Sequence, residues 1–144
     1  MKKIALISVS DKTGIDSIAS GLSKMGYDII STGGTAKYLI SKGIKIIPIS
    51  EFTKFEEILE GRVKTLHPII HTGTLAKSKK DIDDLRDSKY SLIDVVIVNL
   101  YPFEKTISKR GCTFSSAIEN IDIGGPTLLR AVSYTHLTLP TNVA

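Results

Sequence analysis

The chain has 144 residues, a length suited to one domain with a sizeable core, and its 42% apolar and 24% charged content is ordinary for a soluble globular protein. Its formal net charge of +4 is mild and scattered, which suits a small anionic ligand and is too weak to argue for nucleic acid as a partner. No apolar run reaches the ~18 residues of a membrane span, the basic opening leads into charge rather than a secretory core, and Cys112 stands alone, so a cytoplasmic chain without an internal disulfide is expected.

In chain order, IALIS (Ile4 to Ser8) is too short for a helix and predicts a strand buried on both faces. Ile15, Ile18, Ala19 and Leu22 follow at helical spacing, with Gly26 placed as the stop. YDIIS and IKIIPIS repeat the buried-strand pattern, separated by a short helix that Gly43 closes. Lys77 to Ser91 is the most polar stretch and predicts a solvated surface helix. DVVIVNL (Asp94 to Leu100) is rich in β-branched residues and is the strongest strand. From Thr113 the pattern gives a helix, a Gly-Gly turn and a second helix with Pro126 in its first turn. Alternating strands and helices imply a single α/β domain, doubly wound, with a mostly parallel sheet of about four or five strands.

Ligands in such sheets bind beyond the carboxyl ends of the strands, and several unusual segments lie there. Ser10, Asp11, Lys12 and Thr13 follow the first strand and enter a helix. Thr32, Gly33, Gly34 and Thr35 follow the second; their glycines can turn N–H groups inward, and a helix N-terminus favours a phosphate. A plain capped turn is the simpler reading of STGGT alone, yet the neighbouring Ser- and Lys-bearing loop tips the balance toward phosphate binding. GRVKTLHPIIH offers Arg62 and Lys64 as cations and the Thr65 hydroxyl, although a solvated basic turn has the same composition. His67 and His71 are four apart, but no third ligand is evident, so capping, packing or substrate contact is expected rather than metal. Asn99 and Tyr101 leave the strongest strand on one side of it, and Asp122 precedes a glycine turn.

Together SVSDKTG, STGGTAK, GRVKTLHP, IVNLYPF and ENIDIGGPTLLRA closely resemble the amino-terminal domain of the bifunctional purine biosynthesis proteins, within the wider methylglyoxal synthase-like group. Those proteins join an inosine monophosphate cyclohydrolase to a formyltransferase. The resemblance spans about Ile4 to Ala131. It implies that the carboxamide nitrogen of a formamidoimidazole ribonucleotide attacks the formyl carbon, with loss of water. It also implies no cofactor, no metal, and a homodimer. Ser10, Asp11, Lys12, Thr13 and the Thr32 to Thr35 run would hold the phosphate, while Arg62, Thr65 and Asn99, with Ile123 and Gly124, would line the rest of the ligand. Lys64 would stabilise the oxyanion, and Asp122 and Tyr101 would orient the carboxamide and pass protons. A non-catalytic phosphate-binding regulatory module and a methylglyoxal synthase-like lyase are the alternatives.

The chain departs from that family after Ala131. No Lys, Arg, Asp or Glu occurs from Ala131 to Ala144, and Tyr134 falls where the resemblance implies a proton-transferring lysine. VSYTHLTLPT can be written in codons that match a transposon-end sequencing adapter. The domain is therefore expected to cover 1–131, with 132–144 a non-native tail, and the chain as it stands is expected to turn over poorly.

Overall fold

The computed structural model describes residues 2–135. Four strands, β1 (Lys3–Ser8), β2 (Tyr27–Ser31), β3 (Ile47–Pro48) and β4 (Val95–Val98), form one sheet in the order β3-β2-β1-β4. Every pairing is parallel, with Ala5 opposite both Ile29 and Val95. Parallel strands need crossovers, and eight helices supply and follow them. They are α1 (Ile15–Lys24), α2 (Gly33–Ser41), α3 (Ile49–Thr53), α4 (Pro68–Leu75), α5 (Lys79–Arg86), α6 (Phe103–Ile107), α7 (Phe114–Glu119) and α8 (Gly124–Thr135).

Strand alternation divides the core into two layers. Ala5, Ile7 and Ile29 pack on one face against Ile15, Ala19 and Leu22 of α1 and Leu39 of α2. Ile4, Leu6 and Ile30 pack on the other against Ile49 of α3, Ile70 of α4, Ile93 and Leu128 of α8. Leu6, Ile7, Ile29 and Ile30 are fully buried, each stabilising the fold by about 1.5–3 kcal/mol relative to exposure. At the opposite end from the ligand edge, Asp94 closes the sheet: its carboxylate accepts from the Ile4 N–H at 2.8 Å, and its own N–H donates to the Ile4 carbonyl at 2.9 Å.

The doubly wound α/β architecture is the one the sequence predicts, and the differences are local. The third strand shrinks from IKIIPIS to Ile47–Pro48, because Pro48 lacks the N–H that would continue the ladder and the chain turns into α3. The fourth ends at Val98, so Asn99 and Leu100 already belong to the loop. Ile18 lies outside the core, 48% exposed, because the stripe through Ile15, Ala19 and Leu22 completes the buried face of α1. Gly26 does follow the end of α1, with φ +87°, a conformation that costs other residues strain. Gly124 and Gly125 are the first turn of α8 rather than a turn before it, with Pro126 in that turn as expected. The polar stretch forms α5 behind a capping box of Ser78 and Asp81. The segment expected to be non-native begins within α8, and from 136 onward it lies outside the described residues. Among the described residues no helix is long and apolar enough to cross a membrane.

Candidate functional site

A cavity of about 560 Å³ opens at the carboxyl ends of the strands, a size that suits a small-molecule ligand. Its first side comes from the loops after β1 and β2. Thr35, buried in α2, donates its hydroxyl to the Val9 carbonyl at 3.0 Å and accepts from the Val9 N–H at 3.1 Å. The Ser8 and Thr32 hydroxyls meet at 2.9 Å, and Ser31 donates to the Ile7 carbonyl. Asn99 ties in β4: its Oδ1 accepts from the N–H groups of Ser10 at 2.6 Å and Asp11 at 3.1 Å, and its Nδ2 donates to the Asp11 carbonyl. Thr35 and Asn99 thus spend their polar atoms on the loop itself.

Two lysines converge on the first turn of α2. Lys12 Nζ donates to the carbonyls of Val9 and Ser10, and it lies 3.9 Å from where a Cβ on Gly34 would stand. Lys64 Nζ is 3.0 Å from the corresponding point on Gly33. No side chain caps this helix, and among the described residues neither lysine is in a salt bridge. An uncapped helix N-terminus and two cations give this end of the cavity a positive electrostatic character.

The other side carries Arg62, Lys64 and Thr65 from the segment before α4, and Asp122 to Gly125 from the start of α8. Asp122 spends both carboxylate oxygens on backbone donors: Oδ1 accepts from Gly125 N–H at 2.9 Å and Oδ2 from Tyr101 N–H at 3.2 Å. The glycines allow this close approach. A Cβ on Gly125 would come within 2.5 Å of Asp122 Oδ2, and one on Gly124 within 2.7 Å of the buried Thr65 hydroxyl. Arg62 pairs with Glu60 at 3.2 Å and with Glu119 at 3.6 Å.

Of the residues singled out in the sequence, Ser10, Lys12, Thr32, Gly34, Thr35, Arg62, Lys64, Thr65, Asn99, Tyr101, Asp122, Ile123 and Gly124 all line this cavity. Asp11, Thr13 and Gly33 do not. The Asp11 carboxylate accepts instead from the Thr13 N–H and hydroxyl at 3.0 and 2.7 Å, and these bonds hold it below the usual carboxylate range. His67 caps α4, its Nδ1 accepting from Ile69 N–H at 3.1 Å, and its ring tilts against Phe55. His71, on the same helix, has its pKa lowered by burial. Ser8, in the same SVSDKTG loop, lines the cavity too, whereas sequence reasoning missed Glu60, Glu119 and Gly125. Glu119 lies in the quoted motif, but only the fold brings it to Arg62.

The MGS-like domain family matches residues 14–127. Over 135 residues the chain is 57% identical to the bifunctional purine biosynthesis protein PurH of Acetivibrio thermocellus, covering 92% of this chain and 26% of that protein. The PurH of Streptococcus gordonii is 51% identical over 141 residues, with 96% and 27% covered. The chain therefore spans about a quarter of the length of these curated relatives. Among solved structures, the crystal structure of ForH superposes with a TM-score of 0.75 at 30% identity, covering 92% of this chain and 68% of that one.

Proposed function

The chain belongs to the MGS-like domain family, and from that premise we propose that its cavity is the nucleotide site of an inosine monophosphate cyclohydrolase of purine biosynthesis. The observation that carries this reading is the convergence of Lys12 and Lys64 on the first turn of α2, in one cavity with the backbone-held Asp122. A phosphate is held at the turn by N–H groups and lysine charge, which leaves the base and its formamido group toward Tyr101 and Asp122. Ring closure needs a weakly nucleophilic carboxamide nitrogen held against the formyl carbon. Asp122 is fixed by two backbone donors and orients that carboxamide. Lys64 stabilises the negative charge developing on the formyl oxygen, and Tyr101 passes protons. No step calls for a metal or redox cofactor.

Turnover by this chain is expected to be low because Tyr134 stands where the resemblance implies a lysine, so binding is the first test. Titration with inosine monophosphate is expected to saturate and to weaken in Arg62→Ala and Lys64→Ala; binding that both variants leave untouched would sink the assignment. Tyr134→Lys is then expected to recover part of the conversion of the formamido ribonucleotide. If Tyr134→Lys, and a version carrying the family's continuation from Val132 onward, bind the nucleotide but convert none of the substrate, a regulatory module is favoured instead. We place the protein in the cytoplasm as a homodimer. The exposed Phe103, Ile107 and Phe114 support such an interface, and sedimentation would test it.

A further inference from the structure

Glu119 faces the cavity yet has no part in the chemistry above. Arg62 Nη2 lies 3.2 Å from Glu60, its near neighbour in sequence, and 3.6 Å from Glu119, which ends α7. The second contact joins the segment before α4 to the helical segment before α8, so it ties together two segments of one wall of the cavity. A carboxylate at a helix C-terminus meets the negative end of the backbone dipoles, and Arg62 supplies the compensating charge. The side chains of Arg62 and Glu119 are 48% and 56% exposed, so water and salt screen the pair and it is exchanged at little cost. The backbone leading into Arg62 is strained as well: Leu59 and Glu60, neither a glycine, have φ of 52° and 55°.

Resting on the nucleotide reading and deepening it, we propose that Glu119 is an internal counter-ion that competes with the oxygens of a phosphorylated ligand for Arg62, and so sets the affinity of the site. Arg62 Nη2 donates a hydrogen bond to Glu60 at 3.2 Å, whereas Glu119 at 3.6 Å is held by charge alone, so ligand oxygens displace Glu119 first.

Glu119→Gln keeps the shape of the side chain and removes its charge. Inosine monophosphate is expected to bind this variant about two- to fivefold more tightly than the parent, the factor an exposed ion pair supports. In an Arg62→Ala background the same substitution is expected to change nothing. A readout independent of the nucleotide is the rate at which phenylglyoxal modifies Arg62, followed by peptide mass spectrometry. That rate is expected to rise in Glu119→Gln. If Arg62 is modified equally fast in both proteins, or if Glu119→Gln alters nucleotide affinity equally without Arg62, the proposal is overturned. If Arg62 modification responds as expected while neither protein binds inosine monophosphate, the counter-ion role stands and the nucleotide reading fails.

Discussion

The side of the cavity that follows β1 and β2 is knitted by neutral groups: Thr35 to Val9, Ser8 to Thr32, Ser31 to Ile7, and the Asn99 amide to Ser10 and Asp11. The facing side, from Arg62 to Thr65 and from Glu119 to Gly125, is held by carboxylates and by the absence of two Cβ atoms. Hydroxyls and amides are insensitive to salt, and when buried they fix one geometry. Ion pairs and carboxylate–N–H contacts near solvent are weakened by salt and can be exchanged. Under the proposed function, a ligand's phosphate would therefore meet a surface set by the core, and its base one that charge can adjust.

Gly125→Ala should give the largest effect. Its Cβ would collide with Asp122 Oδ2 and with Leu100 Cδ2, at 2.5 and 2.7 Å. Overpacking and a lost charged hydrogen bond together cost about 3 kcal/mol or more. Urea unfolding should show that loss. Calorimetry should show inosine monophosphate binding collapse while inorganic phosphate still binds; equal loss of both ligands would mean the two sides are not separate. Lys64→Met comes next. It removes one cation from the start of α2, and a charged hydrogen bond contributes about 1.5–3 kcal/mol, so nucleotide affinity should fall roughly 10- to 150-fold. The fold should be left intact, as judged by an unchanged urea midpoint. Asn99→Ala should be milder, near 1 kcal/mol in stability. Because it loosens the β1 loop, it should weaken nucleotide and phosphate by the same factor, the opposite pattern to Gly125→Ala.

The first side was far more legible in the sequence than the second. Short apolar runs ending in Ser8 and Ser31, each followed by polar and glycine residues, mark strand ends and loops by pattern alone. The helices α3, α4 and α6 carry no such signature. Two of them have five residues, too few for a periodicity, and α4 is helical where two histidines had only suggested a shared face. Asp122 could be picked out from its motif, but its bonds to Tyr101 and Gly125 depend on where α8 begins, and the Gly-Gly pair read as a turn. Glu119 and Arg62 lie far apart in the chain, and no local rule joins them. His67 resolved to a helix cap, one of the alternatives its position left open.

Acid should give the smallest and most diagnostic effect. Asp11 carries a negative charge next to Lys12 on the side that hydroxyls and amides knit, and its pKa is lowered first by the Thr13 N–H and then by the Thr13 hydroxyl, with Lys105 and Lys12 adding attraction. A carboxyl with a depressed folded pKa contributes stability that is present above its unfolded value of 3.8 and lost as pH falls through the folded value. His71 acts in a higher window. Burial lowers its pKa from 6.5, so the unfolded chain takes up the proton first, and stability falls as pH drops from that value toward the folded one. Urea midpoints measured from pH 7.5 to pH 3 should therefore decline in two stages. His71→Gln should flatten the first stage alone, while Asp11→Asn should reduce only the second, which Asp81 shares. Inorganic phosphate affinity should not follow the first stage, because His71 lies outside the cavity. If His71→Gln leaves the decline below pH 6.5 unchanged, burial of that ring is not what makes the fold sensitive there.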